Sequence, residues 1–359
     1  MATLLASVTQ QYILPKFVDT VLRSNVLTSR ILSEGKRGQE NWRGTLIQKA
    51  VKTTKNTNGT SFTGMAILPS QQVNPFQILS FSPKFYQIDV TVSMTDVLVN
   101  ATDDQRVADL AVTSATSSAE DMADSIGTIF YGDGTGNGSQ DFNGLSNIVD
   151  DGTIAPTYGG LSRSTYTTLQ STVTASAGTL SLQKMATLYN NISDGTTTPT
   201  MGISDKATFS YYEQLIEPKN RIYMSIPEVR AMGNKGLAGA AGFTSLDFKG
   251  FGLTPDQKAA ENTSGILYFL NENFIYFTAI NGPTASTPMG VAQAIQFKEA
   301  DFKGNDYDMK GGVKGMGFFW TGWVKPANQL GFVGRVALGG EMWSDNPRRH
   351  GKLTGITGV

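Results

Sequence analysis

Apolar residues along the chain recur with two different periods, and the changes between them divide it into segments. Ile88, Val90, Val92 and Met94 alternate with Gln87, Asp89, Thr91 and Ser93. A period of two puts one set on each face of a strand and predicts a half-buried strand here. The earlier run from Gly44 to Thr53 is the expected partner strand. Between them lie Asn56 to Gly64, rich in Asn, Thr and Gly, and then Pro69 to Pro75. Residues 40–95 therefore read as a long extended hairpin with a polar tip. An isolated hairpin is at best marginally stable in water, so this arm must rest on its own core or on a neighbour.

A spacing of three and four replaces the alternation at Val107, Leu110, Ala111, Ala115, Ala119, Met122, Ala123, Ile126 and Phe130. That is the helical period. Thr102-Asp103-Asp104-Gln105 forms a capping box, in which hydroxyl and amide satisfy the first free N–H groups reciprocally. The predicted helix over 103–131 would be roughly 43 Å long and ends at Gly132. Its middle is Ala, Ser and Thr, which permits a close backbone approach. A shorter amphipathic helix is predicted over 12–32, from Phe17, Val18, Val21, Leu22 and Val26, with Pro15 in its first turn.

Residues 145–300 read as a separate α/β unit. Leu182, Met185, Leu188 and Tyr189 share one face of a helix over 181–192, and Asp205 can cap a second helix reaching Leu215. Tyr268–Leu270 and Phe274–Phe277, separated by Asn271-Glu272-Asn273, read as a tight hairpin. Residues 233–242 are a glycine-rich loop. In 316–344 strands return, with Leu330, Phe332, Val336 and Leu338 alternating with Gly331, Val333, Arg335 and Ala337. Trp320, Trp323 and Trp343 should anchor the core there. No internal repeat is evident.

Composition removes most catalytic chemistry. The chain has no cysteine and one histidine, His350, which leaves no thiolate site and no multi-histidine metal site. No cofactor and no metal is expected. Gly132 to Gly138 looks like a phosphate cradle, but such a cradle needs a helix N-terminus after its glycines. Here the glycines follow a helix, whose C-terminal pole is negative. Asp301, Asn305, Asp306 and Asp308 lack the spacing and final glutamate of a calcium loop. Asp103/Asp104 read as helix N-terminal charge, Asp150/Asp151 as a turn, and His350 has no identifiable triad partner. The first residues lack the basic start and apolar run of a signal peptide. No apolar stretch is long enough to span a bilayer, so an intracellular protein without a membrane partner is expected. Charged residues make up only 16%, against roughly 25% in ordinary soluble chains. A surface that meets other subunits needs less charge than one that meets only water.

The near-neutral total conceals a strong asymmetry. Lys36, Arg37, Arg43, Lys49, Lys52 and Lys55 face a single acid, Glu40, over residues 36–55. From Asp96 to Asp151 eleven acidic residues accompany one base, Arg106. A basic arm and an acidic helix in one chain are complementary between copies. We expect Lys49, Lys52 and Lys55 of one copy to meet Glu120, Asp121 or Asp124 of another. The basic tail Arg348, Arg349 and Lys352 is expected to contact an inner-surface partner or DNA.

This order of parts resembles the tailed-phage major capsid proteins of the Hong Kong 97 type. The closest residues are Phe130-Tyr131-Gly132-Asp133-Gly134-Thr135-Gly136, followed by Phe142-Asn143-Gly144-Leu145. Phe248–Leu253 and Gly265–Asn271 are similar to late strands of that family. The resemblance implies an α+β fold with four parts: an N-terminal arm (1–39), an extended β-hairpin loop (40–95), a peripheral domain with a long spine helix (96–145 and 301–359), and an axial α/β domain (146–300). It implies a structural protein and not an enzyme. Hexamers and pentamers would close an icosahedral shell around double-stranded DNA, held non-specifically, as a virion capsid assembled in the host cytoplasm. A separate scaffolding protein is expected, because the spine helix begins too early for a scaffolding segment in the same chain. A portal and decoration proteins are the other implied partners. No partner asparagine or catalytic acid for an intersubunit lysine crosslink can be identified. Two alternatives remain: a same-fold nanocompartment around protein cargo, and a carboxylate-dependent glycosidase with its acids in 145–300.

Overall fold

The structure, a computed structural model, describes residues 17, 20, 21, 25–33, 45–68, 71–99, 104–216, 245–262, 264–280, 293–294, 318–326 and 330–359. The glycine-rich stretch 233–242, the acidic turn 301–308, the cap at 102–103, and Val18 and Leu22 lie outside these residues.

The arm is a two-stranded antiparallel hairpin of β1 (Ile47–Lys52) and β2 (Phe76–Phe81), with Lys49 opposite Leu79 and Lys52 opposite Phe76. The alternating strand predicted as β1's partner is instead β3 (Lys84–Ser93), which pairs along its whole length with β12 (Gly331–Ser344). The correction has a simple cause. Phe76-Gln77-Ile78-Leu79-Ser80-Phe81 carries apolar residues on both faces, so it escapes a search for strict alternation. Its inner face, Leu79 and Phe81, is buried with Val51, while its outer face leaves Phe76 and Ile78 more than half exposed.

After β3 come a short helix α1 (Met94–Val99) and the spine α2 (Asp104–Tyr131), 28 residues. Ala111, Ala115 and Ala119 are buried in one core with Val90 and Val92 of β3. Small side chains let the helix lie close enough for Ser114 Oγ to donate to Thr91 O (2.8 Å) and Ser118 Oγ to Asp89 O (3.0 Å). These bonds satisfy carbonyls of a strand that has one β partner among the described residues. The N-terminal helix is interrupted: Asn25 is extended, and Val26–Thr28 continues as a π turn, Ser29–Ser33. Asn25 Nδ2 donates to Ala123 O of the spine (3.2 Å). A Cβ on Gly127 would sit 2.1 Å from that nitrogen, so only glycine admits this approach.

Two sheets follow. The first runs β4 (Thr172–Thr174), β13 (Gly351–Leu353), β8 (Leu267–Leu270), β5 (Met201–Ser204), β7 (Phe251–Pro255), β6 (Leu246–Phe248). Helices α3 (Leu182–Ile192) and α4 (Lys206–Ile216) share the core on one face, with Met185, Leu188, Phe209, Leu267 and Phe269. Ile203, Tyr268 and Leu270 point the other way, into the core of the spine. A strand buried on both faces explains the unbroken apolar run 266–270. Helix α5 (Gln257–Asn262) packs on the spine. The expected helix over 181–192 is α3, and Ser181 is its cap, accepting from Lys184 N. Asp205 stands at the start of α4, its carbonyl accepting from Phe209 N, while its carboxylate accepts from Gly265 N and Ile266 N, tying β5 to the start of β8.

The second sheet contains β9 (Ile275–Ala279), β12, β11 (Phe318–Trp320), β10 (Gln293–Ala294) and β3. The expected hairpin between 268 and 277 is absent: β8 and β9 belong to different sheets. Apolar content alone gave that pairing, and it says nothing about which neighbour a strand takes. The chain therefore passes between the sheets three times, once through the spine between β3 and β4 and twice directly, at 270–275 and at 344–351. Residues 275–279 share a sheet with 331–344, and residues 351–353 share one with 201–204, so the sheets do not divide at residue 300.

Candidate assembly surfaces

The arm is anchored at its root and exposed at its end. Phe81 packs edge-on against Tyr158 (5.4 Å between ring centroids) and stacks on Trp343 (5.9 Å). Ser80 N donates to Gly159 O. Beyond β1 and β2, Thr53 N and Thr54 N both donate to Pro75 O, and Asn58 Nδ2 donates to Gln71 O. Among the described residues of the tip, 59–68, there is no helix or strand, and the tip is not uniformly polar. Phe62 is 64% exposed, Met65 102% and Ile67 99%. The signal was present in Phe62-Thr63-Gly64-Met65-Ala66-Ile67-Leu68, hidden by the Asn, Thr and Gly before it. Side chains of this size left in water mark a surface that expects a partner.

Strand geometry separates the three arm lysines. Residues 49 and 52 are an odd number apart, so they lie on opposite faces. Lys49 turns inward, its Nζ 6.0 Å from the centre of the Trp343 ring. Lys52 and Lys55 are exposed, Lys52 beside Phe76. On the spine, Glu120 and Asp121 are exposed, and Asp124 pairs with Lys258 of its own chain. The three acids share a helical face, and the structure spends one of them internally.

The basic tail does not form one surface. Arg349 donates to Asp194 Oδ2, and Arg348 lies 3.7 Å from the same oxygen. These guanidinium groups, Arg349 foremost, hold the Asp194 carboxyl below the usual carboxylate range. Lys352 is 2% exposed and cannot reach DNA. It is a strand residue of β13 whose side chain faces Asp150 at 3.9 Å. Burial lowers its pKa against the pull of Asp150.

Asp150 belongs to a turn, as expected, but a buried one. Its Oδ2 accepts from Gly152 N, Ile154 N and Ala155 N. Arg163, fully buried, lies 3.4 Å from that oxygen and donates to Asp150 O and Asn147 O. Burial pulls the guanidinium pKa down. No pattern in the sequence distinguishes Arg163 from a surface arginine. His350 is also fully buried: Asn271 N donates to its Nδ1 (3.2 Å), and its Nε2 lies 3.0 Å from Ser344 Oγ. Burial pushes its pKa down to about 3. A neutral ring with Nε2–H toward serine fits both bonds. Nδ1 meets a backbone N–H where a catalytic triad has a carboxylate, and solvent is excluded.

The glycine loop after the spine holds a cation. Lys84 Nζ donates to Gly134 O and Asp141 O, suiting the negative pole of the helix C-terminus. Asp133 Oδ1 accepts from Thr135 N and Oγ1, which holds its pKa down. A Cβ on Gly144 would lie 2.3 Å from Gly132 O, so the glycine before Leu145 lets the chain turn back against the helix end. No cluster of metal-ligating side chains occurs among the described residues. Among them, no helix is long and apolar enough to cross a membrane.

The chain is similar to the cyanophage A-1(L) capsid asymmetric unit, with a TM-score of 0.61 and 13% identity, over 90% of this chain and 92% of that one. The fold is the Hong Kong 97-like capsid fold. A second Hong Kong 97-like neighbour is the capsid of the native GTA particle, with a TM-score of 0.51 and 9% identity, over 91% of this chain and 90% of that one. No family model matches the chain, and no curated protein matches it in sequence. The Hong Kong 97-like fold agrees with the α+β class and with the resemblance read from residues 130–145.

Proposed function

We propose that the chain is the structural subunit of a closed shell, a major capsid protein and not an enzyme. In this reading its copies form hexamers and pentamers of an icosahedral virion capsid. The capsid encloses double-stranded DNA and assembles in the host cytoplasm with a scaffolding protein, a portal and decoration proteins. Residues 1–39 serve as the N-terminal arm and 40–95 as the extended loop. The peripheral part comprises 96–145 with 301–359, and 146–300 is the axial part, with β9 and β13 exchanged between the two sheets.

One observation carries the reading: the arm is rooted in its own core yet ends in Phe62, Met65 and Ile67, exposed to water. A monomer gains nothing from that arrangement, whereas a neighbour that covers the tip gains apolar burial. Lys52, opposite the exposed Phe76, and the exposed Lys55 would meet Glu120 and Asp121 of the adjacent copy. Exposed pairs contribute about 0–1 kcal/mol each, so they set register while the apolar tip supplies strength. Arg348 is half exposed and remains the candidate inner-surface contact of the tail.

Negative-stain electron microscopy of the expressed protein, with and without a candidate scaffolding protein, tests this. Closed shells or sixfold and fivefold rings support it, and ultraviolet absorbance of purified particles separates DNA from protein contents. Particles free of nucleic acid that hold one other protein would turn the reading toward a cargo compartment. A uniform monomer under both conditions would refute the shell. Charge reversal at Lys52 and Lys55 should impair assembly without unfolding the chain, whereas normal shells from that variant would remove the pairing with the spine acids.

A further inference from the structure

The root of the arm contains a buried acid that the shell reading does not use. Glu341 of β12 has a side chain 1% exposed. Its Oε1 accepts from Asn143 N (2.6 Å) and Met342 N (3.1 Å). Its Oε2 lies 3.7 Å from Lys84 Nζ. Lys84 is the first residue of β3, three positions after the arm strand β2 ends. The same ammonium holds the carbonyls of Gly134 and Asp141. The Lys84 ammonium thus meets three segments: it belongs to the arm's root, holds the loop that closes the spine, and faces Glu341 of the central strand β12.

We propose that Glu341 and Lys84 form a pH-dependent latch between the arm and the loop at the end of the spine, closed when Glu341 is protonated and loosened when it ionises. This rests on the arm being the element that engages a neighbour. The groups around Glu341 are few. Lys84 faces it from β3, Tyr158 from the segment after the spine, and Asp133 and Asp141 lie on the loop around Lys84. Its cross-strand partner on β9 is the neutral Thr278. Burial outweighs Lys84 and the two N–H donors and raises the carboxyl to about 7, from 4.5 in an open chain. Because the closed state holds its proton more tightly than the open one, opening becomes easier as pH rises. Between pH 6 and pH 8 the opening equilibrium should grow about tenfold, then level off.

Hydrogen exchange of the unassembled full-length chain, corrected for intrinsic rates, reads this in peptides covering 76–93, 133–144 and 338–345. Wild type should show the tenfold rise, and Glu341→Gln, which keeps both acceptor bonds, should flatten it. Lys84→Met should move the midpoint to higher pH, because it removes the charge that favours ionisation. A flat wild-type profile, superimposable wild-type and Glu341→Gln profiles, or an unmoved midpoint in Lys84→Met would each overturn the latch. Shell formation is scored separately. Shells with a pH-insensitive root remove the latch alone, and a pH-sensitive root without particles removes the shell alone.

Discussion

Replacing Met65 and Ile67 by serine separates what the arm does for its own chain from what it does for a neighbour. Both side chains are fully exposed. Surface changes of this kind stay within about 0.5 kcal/mol of wild-type stability, so the melting temperature of the unassembled variant should not move measurably. Fully burying a Met or Ile side chain contributes about 1.5–3 kcal/mol. If both are covered on assembly, the double variant loses at least about 3 kcal/mol per arm contact. At about 1.4 kcal/mol per tenfold, the protein concentration needed for assembly should rise about a hundredfold. Light scattering against concentration measures that threshold, and electron microscopy confirms the product. An unchanged threshold, with the melting temperature also unchanged, would refute the claim that the tip is buried between copies. Leu79→Ala is the contrasting control. Leu79 is fully buried on the arm's inner face, so its loss should cost about 2–5 kcal/mol and lower the melting temperature.

His350 binds a proton at about 3 when folded and near 6.5 when unfolded. Its contribution is therefore intact above pH 6.5 and lost as pH falls toward 3. Between pH 7 and pH 5 this removes about 2 kcal/mol, and urea unfolding at the two pH values should show a smaller difference in His350→Asn than in wild type. Arg163→Met leaves Asp150 with its backbone donors but without its buried guanidinium. Such a break costs about 3–5 kcal/mol, and a thermal melt should drop accordingly. Lys49→Glu should disturb the chain's own packing on Trp343 more than Lys52→Glu does, because only Lys49 faces inward. Equal melting temperatures for the two would contradict the assigned faces.

Much of this architecture was legible from periodicity alone. The spine was, since 28 residues of regular spacing leave few alternatives. The strand over 84–93 was also legible, but its partner lies almost 250 positions away, and alternation encodes a face and not a neighbour. The same limit explains why 268–270 and 274–277 looked like a hairpin yet diverge into two sheets. The charge asymmetry was visible in composition. Its use was not, because the tertiary structure turned Lys352 and Lys49 inward and paired Asp124 with Lys258 of its own chain. Arg163 and Glu341 were invisible for a related reason: a charged residue enters a core only when the tertiary structure supplies its partners.

The pair of direct crossings between the two sheets, at 270–275 and at 344–351, has a mechanical consequence. A single covalent crossing would act as a hinge. Here strands β8 and β12 each deliver one, and the His350 ring joins them, through Nδ1 to Asn271 on the first and through Nε2 to Ser344 on the second. Load applied to one sheet reaches the other along two backbones in parallel, so bending at the junction requires both to flex together. A wall built from such subunits would respond to internal pressure by deforming at the contacts between copies before the subunit itself gives way.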